Sequence, residues 1–157
     1  MVNDKLHSAI AAHSGKLGSF GHGYTYSGHP VASAVALETL KVYEDERILE
    51  HVRAVAPAFL AGLQSFAAQP CVGNVRGVGL IGAIELMADK ATRTPFAAER
   101  KAGYRLAQLA QEEGLIVRAM GDSIGLCPPL IITPAELDDL FARLGRAMAR
   151  FQSELSQ

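Results

Sequence analysis

The C-terminal quarter of the chain carries its clearest hydrophobic pattern. Apolar residues recur at spacings of three and four across residues 137–155, which predicts one long amphipathic helix with a buried stripe. Thr133 precedes this stripe, with Pro134 at the first helical position and Glu136 three residues after the threonine. This spacing is that of a capping box followed by a helix.

The N-terminal half is predicted to contain three helices and one long loop. Residues 3–12 form a short helix, and 13–30 form an irregular segment with five glycines and three aromatic residues. Pro30 suits a first helical turn, and the Ala-, Leu- and Glu-rich sequence after it continues as a helix. The periodicity across 48–66 predicts a core-facing helix, with a kink or a break at Pro57.

Short strands are predicted between the later helices. Residues 75–86 combine Val and Ile with glycines and read as a strand or a strand pair. Residues 115–119 and 124–127 are two further short strands on either side of a Gly-Asp-Ser turn. Thr94 before Pro95 resembles a helix N-cap, which predicts a helix from there to about Glu113.

This order of elements predicts an α+β fold: a small, mainly antiparallel sheet covered by helices on one face. The first part of the chain fits that layer poorly, because a glycine-rich loop and a long helix have no sheet of their own. We therefore expect residues 1–44 to be an extension that needs another domain or subunit to pack against, and residues 45–157 to form the small α+β domain.

Composition narrows the possible partners and compartments. The 157 residues carry a formal net charge of -1 and no long basic run, which argues against nucleic acid as a partner. Apolar stretches are too short to span a bilayer, and no export signal is visible, so we expect a cytoplasmic protein without a membrane segment. Cys71 and Cys127 lie far apart, which argues against a disulfide scaffold and against a zinc site.

Two motifs suggest chemistry that the surrounding residues do not support. Gly77, Gly79 and Gly82 have the spacing of a dinucleotide-binding loop, but the sequence after them continues as a strand instead of opening a helix. Glycines used for a tight turn or a close backbone approach explain them better. His22 and His29 flank a loop that contains no carboxylate or thiol, so a metal site is the poorer interpretation.

Two other positions leave alternatives open. Thr25 and Ser27 lie among glycines just ahead of a helix start, where hydroxyls and N–H groups either hold an anion such as phosphate or serve ordinary turn and capping roles. Arg118 lies between apolar residues of a predicted strand, where its planar fork suits a carboxylate. The arginine extends its charged end to the surface, pairs with an acid or faces a cavity, and Asp122 across the turn is the obvious acidic partner.

Three segments together resemble a known family. Residues 20–37 read FGHGYTYSGHPVASAVAL, residues 75–86 read VRGVGLIGAIEL, and residues 114–133 read GLIVRAMGDSIGLCPPLIIT. In order and spacing they strongly resemble the C-terminal part of class III, omega-type aminotransferases. The resemblance implies a fold-type I enzyme that depends on pyridoxal 5'-phosphate and builds its active sites at the interface of a homodimer.

The resemblance also implies roles for individual residues. Thr25 matches the threonine whose hydroxyl binds the cofactor phosphate of the neighbouring subunit, and Tyr24 lines that site beside it. Arg118 matches the mobile arginine that pairs with a substrate carboxylate and moves aside for an amine without one. A packed aliphatic stem with a mobile fork suits this double use.

The family's Schiff-base lysine is not matched by any residue of this sequence. Its aspartate partner of the pyridine nitrogen and its stacking aromatic residue are also unmatched, so the chain resembles the last third of such an enzyme. Lys5 and Lys16 lie in polar contexts that predict solvent-facing, poorly nucleophilic side chains. We expect the parent enzyme to move an amino group from an amine to a keto acid such as pyruvate, and this chain alone to be inactive.

Two other interpretations remain. The chain is either a stand-alone, non-catalytic module that docks on a full-length aminotransferase, or part of a class III relative with another reaction, such as a decarboxylase, mutase or racemase. In each case the N-terminal extension leaves apolar residues such as Phe20, Val35 and Leu37 without cover. We therefore expect self-association through the loop and the helix that follows it, a partly disordered N-terminal third, or both.

Overall fold

The structure, a computed structural model, describes residues 2–156, which form five α-helices and a four-stranded sheet. The helices are α1 (Asp4–Leu17), α2 (Pro30–Asp45), α3 (Ile48–Gln64), α4 (Ala102–Glu112) and α5 (Pro134–Leu155). The strands are β1 (Val72–Val78), β2 (Ile81–Leu86), β3 (Arg118–Met120) and β4 (Ser123–Leu126). None of these helices is long and apolar enough to cross a membrane.

The chain divides into two compact units, Met1–Lys41 and Val42–Gln157, and the division falls inside α2. The sequence placed this boundary slightly later, after residue 44. In the first unit, no side chain of α1 is buried, and α2 likewise has no buried residue. Among the described residues, the whole hydrophobic core belongs to the second unit.

The sheet has the strand order β1-β2-β4-β3, and all of its neighbouring strands are antiparallel. Ile84 and Leu86 of β2 and Ile124 and Leu126 of β4 point to one face and are buried there. Helix α3 packs on β1 and β2, α4 packs on β3 and β4, and α5 covers both helices. The predicted α+β fold with a small antiparallel sheet is therefore confirmed.

Glycines bring α3 close to the β1–β2 hairpin. A Cβ atom on Gly82 would lie 2.1 Å from Cδ1 of Leu63, which is itself buried. Gly79 has a φ of +56° and forms the two-residue turn with Leu80. The G-x-G-x-x-G spacing thus serves a tight turn and a close helix approach, and no helix opens at it.

The prediction of a helix opening at Thr94 and Pro95 is wrong. The Thr94 backbone pairs with Asp89 in a β-bridge, with 2.9 Å from Thr94 N to Asp89 O. The Asp89 carboxylate accepts hydrogen bonds from Ala91 N and Thr92 N, which close the intervening turn and lower the pKa of this carboxyl. Helix α4 begins only at Ala102, because the hydrogen-bonding groups of Thr94 are already used.

Other element boundaries shift for local reasons. Helix α1 is longer than predicted and extends to Leu17. Asn3 caps its start by accepting a hydrogen bond from Leu6 N, and Gly18, with a φ of +96°, ends it. Helix α3 continues through Pro57, which lies on the exposed side of the helix. The predicted capping box of Thr133 and Glu136 is present at the start of α5.

Ion pairs between α5 and the α4 segment, including the Glu113 that follows α4, hold the two helices together at the surface. Glu113 accepts hydrogen bonds from Arg146 at 2.8 Å and from Arg150 at 3.1 Å, and these arginines lower the pKa of its carboxyl. Arg105 of α4 pairs with Glu154 of α5 in the same way and lowers the pKa of that carboxyl. The two helices are therefore cross-linked along their length.

The first turn of α4 rests directly on the β3–β4 turn. The N–H group of Gly103 donates to Oδ1 of Asp122 over 3.3 Å. A Cβ atom on Gly103 would lie 2.0 Å from the carbonyl oxygen of Gly121. Because that contact is with backbone, no side-chain rotation relieves it. Asp122 therefore anchors the hairpin to α4 through a residue that must be glycine.

We expect Gly103→Ala to lower the free energy of unfolding by about 1–3 kcal/mol, because the added methyl group overlaps the Gly121 carbonyl. Gly145→Ala is the matched control, since a Cβ atom there meets nothing within 4 Å in the middle of α5. That variant should be stabilised by up to about 1 kcal/mol. Urea unfolding measures both values, and equal stabilities of the two variants would contradict the described contact.

Candidate functional site

The glycine-rich loop runs from Gly18 to His29, between α1 and α2. Its last part is a compact turn in which Ser27 N donates to the Tyr24 carbonyl over 3.0 Å and His29 N donates to the Tyr26 carbonyl over 3.2 Å. Gly28 supplies the required positive φ of +72°. The turn ends at the start of α2, where the His29 carbonyl accepts from Ser33 N.

Thr25 and Ser27, the two hydroxyl residues of this turn, have different roles. The Ser27 hydroxyl accepts a hydrogen bond from Tyr24 N over 3.2 Å, so it closes the turn. The Thr25 side chain is exposed and makes no hydrogen bond with any residue between 2 and 156. An exposed hydroxyl beside a helix start is suited to bind an anion such as a phosphate group.

Aromatic and imidazole rings line the loop. Phe20 and His22 have centroids 5.7 Å apart, and His22 meets Tyr24 edge to face at 6.0 Å. Phe20 and Tyr24 keep 64% and 78% of their surface exposed, so these rings are available to a ligand. Among residues 2–156, no three His, Cys, Asp or Glu side chains are grouped to hold a metal ion.

All five lysines of the sequence are exposed, including Lys5 and Lys16 on α1. A lysine that forms a Schiff base with a carbonyl compound is activated by desolvation or by a neighbouring cation. An exposed ammonium group has neither form of activation. Lys5 and Lys16 are exposed, as the sequence predicted.

The sheet face opposite the helices is the second candidate site. Strand pairing places Arg76 of β1 opposite Ala83 of β2, Ala83 opposite Gly125 of β4, and Gly125 opposite Arg118 of β3. Residues paired across antiparallel strands share a face, and neighbouring residues on one strand alternate. Since Ile84 and Ile124 are buried on the helix-covered face, this row belongs to the other one, called here the open sheet face.

Arg118 is exposed on the open sheet face, and of the alternatives left open by the sequence, the ion pair with Asp122 is not formed. The Asp122 carboxylate is bonded to Gly103 N instead, on the side of the turn where α4 packs. No carboxylate between residues 2 and 156 lies within ion-pair distance of the Arg118 guanidinium. The guanidinium is therefore available to an anionic ligand.

A groove of about 790 Å³ follows the open sheet face. Its walls are largely apolar and include the exposed side chains Val78, Ile81, Ile116 and Met120. Two guanidinium groups, those of Arg76 and Arg118, are its only charged lining groups among the described residues. A groove with this lining suits a small organic anion with an apolar body.

The two cysteines differ in their surroundings. Cys71 is buried beside the Met148 sulfur at 3.7 Å, and burial raises the pKa of its thiol. Cys127 is exposed at the end of β4 and lines the groove. Cys71 is thus a buried thiol of the core, and Cys127 is an exposed thiol at the groove.

Arg76 is a possible site residue that the sequence alone did not indicate. The signal was present, because Arg76 and Arg118 belong to segments that were both predicted as strands. Only the observed register, with Ala83 and Gly125 between them, shows that the two arginines share one row. Strand order β1-β2-β4-β3 cannot be read from residue spacing alone.

Known proteins that are similar to this chain belong to one family. Residues 1–148 match the family model described as aminotransferase class-III. A probable gamma-aminobutyrate transaminase 3 from Oryza sativa subsp. indica, described as mitochondrial, is 40% identical over 157 residues, which are all of this chain and 31% of that protein. Gamma-aminobutyrate transaminase 1 of the same subspecies, also described as mitochondrial, is 43% identical, with 30% of its length covered.

Solved structures of transaminases have the same fold as this chain. An omega transaminase six-fold mutant from Pseudomonas jessenii superposes with a TM-score of 0.86 and 42% identity, covering 99% of this chain and 35% of that one. A PMP-bound aminotransferase from Vibrio fluvialis gives a TM-score of 0.87 and 36% identity, with 98% and 34% covered. The chain thus spans about a third of the length of the proteins it matches.

Proposed function

Because the chain belongs to the class-III aminotransferase family, we propose that it provides the carboxylate-binding and phosphate-binding parts of a pyridoxal-phosphate-dependent omega-type transaminase. The observation that carries this proposal is Arg118, an exposed guanidinium without an ion-pair partner among the described residues, in an apolar groove. The reaction moves an amino group between an amine or amino acid and a keto acid, with pyruvate as the proposed acceptor.

In this proposal, Arg118 binds and orients the substrate carboxylate. A guanidinium offers two parallel N–H donors that match the two oxygens of a carboxylate. The apolar side chains beside it, such as Ile116 and Met120, contact the remainder of the substrate and exclude water from it. An amine substrate without a carboxylate leaves the arginine in solvent, where its charge is satisfied by water.

The glycine-rich loop is proposed to hold the cofactor phosphate. The exposed Thr25 hydroxyl and the N–H groups at the start of α2 are donors of the kind that phosphate accepts, so the residues present fit the group. Tyr24 is next to Thr25 in the sequence, and its exposed ring lines the proposed phosphate site. When bound, pyridoxal phosphate supplies the electron sink that the transfer of an amino group requires.

Substitution of Arg118 tests the carboxylate-binding role directly. We expect Arg118→Gln to weaken pyruvate binding by about fivefold, because one charged contact in a partly solvated groove is lost. Chemical-shift titration of the isotope-labelled chain measures the dissociation constant. Arg53→Gln is the matched control, since Arg53 is an exposed arginine on α3 outside the groove. Equal weakening by both substitutions would contradict a specific role for Arg118.

The isolated 157-residue chain is proposed to be catalytically inactive, since none of its exposed lysines is activated as a nucleophile. With pyridoxal phosphate, an amine donor and pyruvate, we expect alanine to form no faster than with the cofactor alone. Borohydride reduction followed by peptide mapping should show only the scattered lysine labelling seen in the urea-unfolded chain. Stoichiometric labelling of one lysine, or catalysed alanine formation, would overturn this proposal.

Self-association through α2 is also proposed. The first half of this helix is apolar on all sides except at Ser33, and Val35 and Leu37 keep 61% and 63% of their surface exposed. A helix that is apolar all round is normally buried. Sedimentation should therefore show a dimer or larger species that Val35→Glu with Leu37→Glu dissociates, whereas Lys41→Glu on the same helix has no effect. A wild-type chain that stays monomeric at all concentrations contradicts the proposal.

A further inference from the structure

The row that crosses the open sheet face has an arginine at each end and nothing large between them. Arg76 and Arg118 stand on the outer strands β1 and β3, with only Ala83 and Gly125 on the inner strands. The Cα atoms of these two arginines lie three strand spacings apart, a distance of about 14 Å. Both side chains line the same groove. A ligand lying across this row is therefore within reach of two guanidinium groups.

The two arginines differ in their electrostatic surroundings. Nη1 of Arg76 lies 3.0 Å from Oε2 of Glu85, which occupies the next row of the same face. No comparable carboxylate is near Arg118 in the part of the chain that the structure describes. Glu85 keeps about a third of its surface exposed, so the pair adds little to stability. Its effect is local: it cancels one of the two positive charges on the face.

We propose that Glu85 determines how many carboxylate groups the open sheet face accepts, by neutralising Arg76 and leaving Arg118 as the one uncompensated guanidinium of the groove. This inference rests on the proposed function, in which Arg118 binds the substrate carboxylate. The groove then takes a keto acid with one carboxylate and an apolar remainder. A keto diacid brings a second anion toward Arg76, where the Glu85 carboxylate repels it.

The charge of Glu85 next to Arg76 determines whether the groove favours a monocarboxylate or a dicarboxylate. An exposed contact between opposite charges is worth a few tenths to about 1 kcal/mol, so freeing Arg76 strengthens the binding of a second carboxylate by about twofold to fivefold. The same charge change has a smaller effect on a monocarboxylate held at Arg118, because that anion lies about three strand spacings from β1. The ratio of the two affinities therefore isolates the effect of Glu85.

The test compares pyruvate with 2-oxoglutarate, which carries a second carboxylate, on the isotope-labelled 157-residue chain at fixed salt concentration. We expect Glu85→Gln to lower the dissociation constant of 2-oxoglutarate relative to that of pyruvate by about twofold to fivefold. Adding Arg76→Gln to this variant should return the ratio to its wild-type value. Glu99→Gln is the matched control for net charge, since Glu99 lies outside the groove. Glu85→Ala is a second variant that removes the carboxylate if the glutamine perturbs the strand.

Each outcome decides between the two proposals. An unchanged ratio in both Glu85 variants, with pyruvate binding still dependent on Arg118, overturns the role of Glu85 and leaves the proposed function standing. A changed ratio that persists without Arg76 also overturns it, because the effect then does not pass through that arginine. Pyruvate binding that does not depend on Arg118 overturns the proposed function itself. Absence of binding by both ligands in all variants overturns both proposals.

Discussion

Close backbone packing on one side of the sheet is the constraint on which the rest of the second unit depends. Glycines at positions 82 and 103 leave no room for a side chain where α3 and α4 approach the strands. Helices α3 and α4 cover one face of the sheet. Because side chains alternate along a strand, the residues between the buried ones point to the other face. The position of Arg118 on the open sheet face is thus a consequence of how the core packs.

The open sheet face combines two features that the domain does not need for its own stability. It exposes large apolar side chains, and its groove contains an arginine without an ion-pair partner among the described residues. Exposed apolar surface around a small number of charged groups is typical of a binding site. In the proposed function, these features serve to bind the carboxylate of a small substrate at Arg118.

The sequence predicted the helices and strands well where one pattern decided the outcome. The stripe of α5 and its capping box came directly from residue spacing, as did the fold class. Prediction failed at Thr94, which pairs with Asp89 instead of starting a helix. The sequence also left the partner of Asp122 open, because its contact with Gly103 depends on how α4 packs. Of the candidate site residues, Arg118 and Thr25 are predicted from their motifs, whereas Arg76 becomes a candidate only through the strand register.

The most direct test of the central claim is to locate a carboxylate on the folded chain. A nitroxide that carries one carboxylate broadens the NMR signals of nearby methyl groups, and its carboxamide analogue is the control. We expect the strongest broadening at Ile81, Ala83 and Met120 on the open sheet face and weaker broadening at the buried Ile84 and Ile124. This pattern should be lost in Arg118→Gln. Broadening that is the same with the carboxamide, or strongest at the core methyl groups, would contradict this claim.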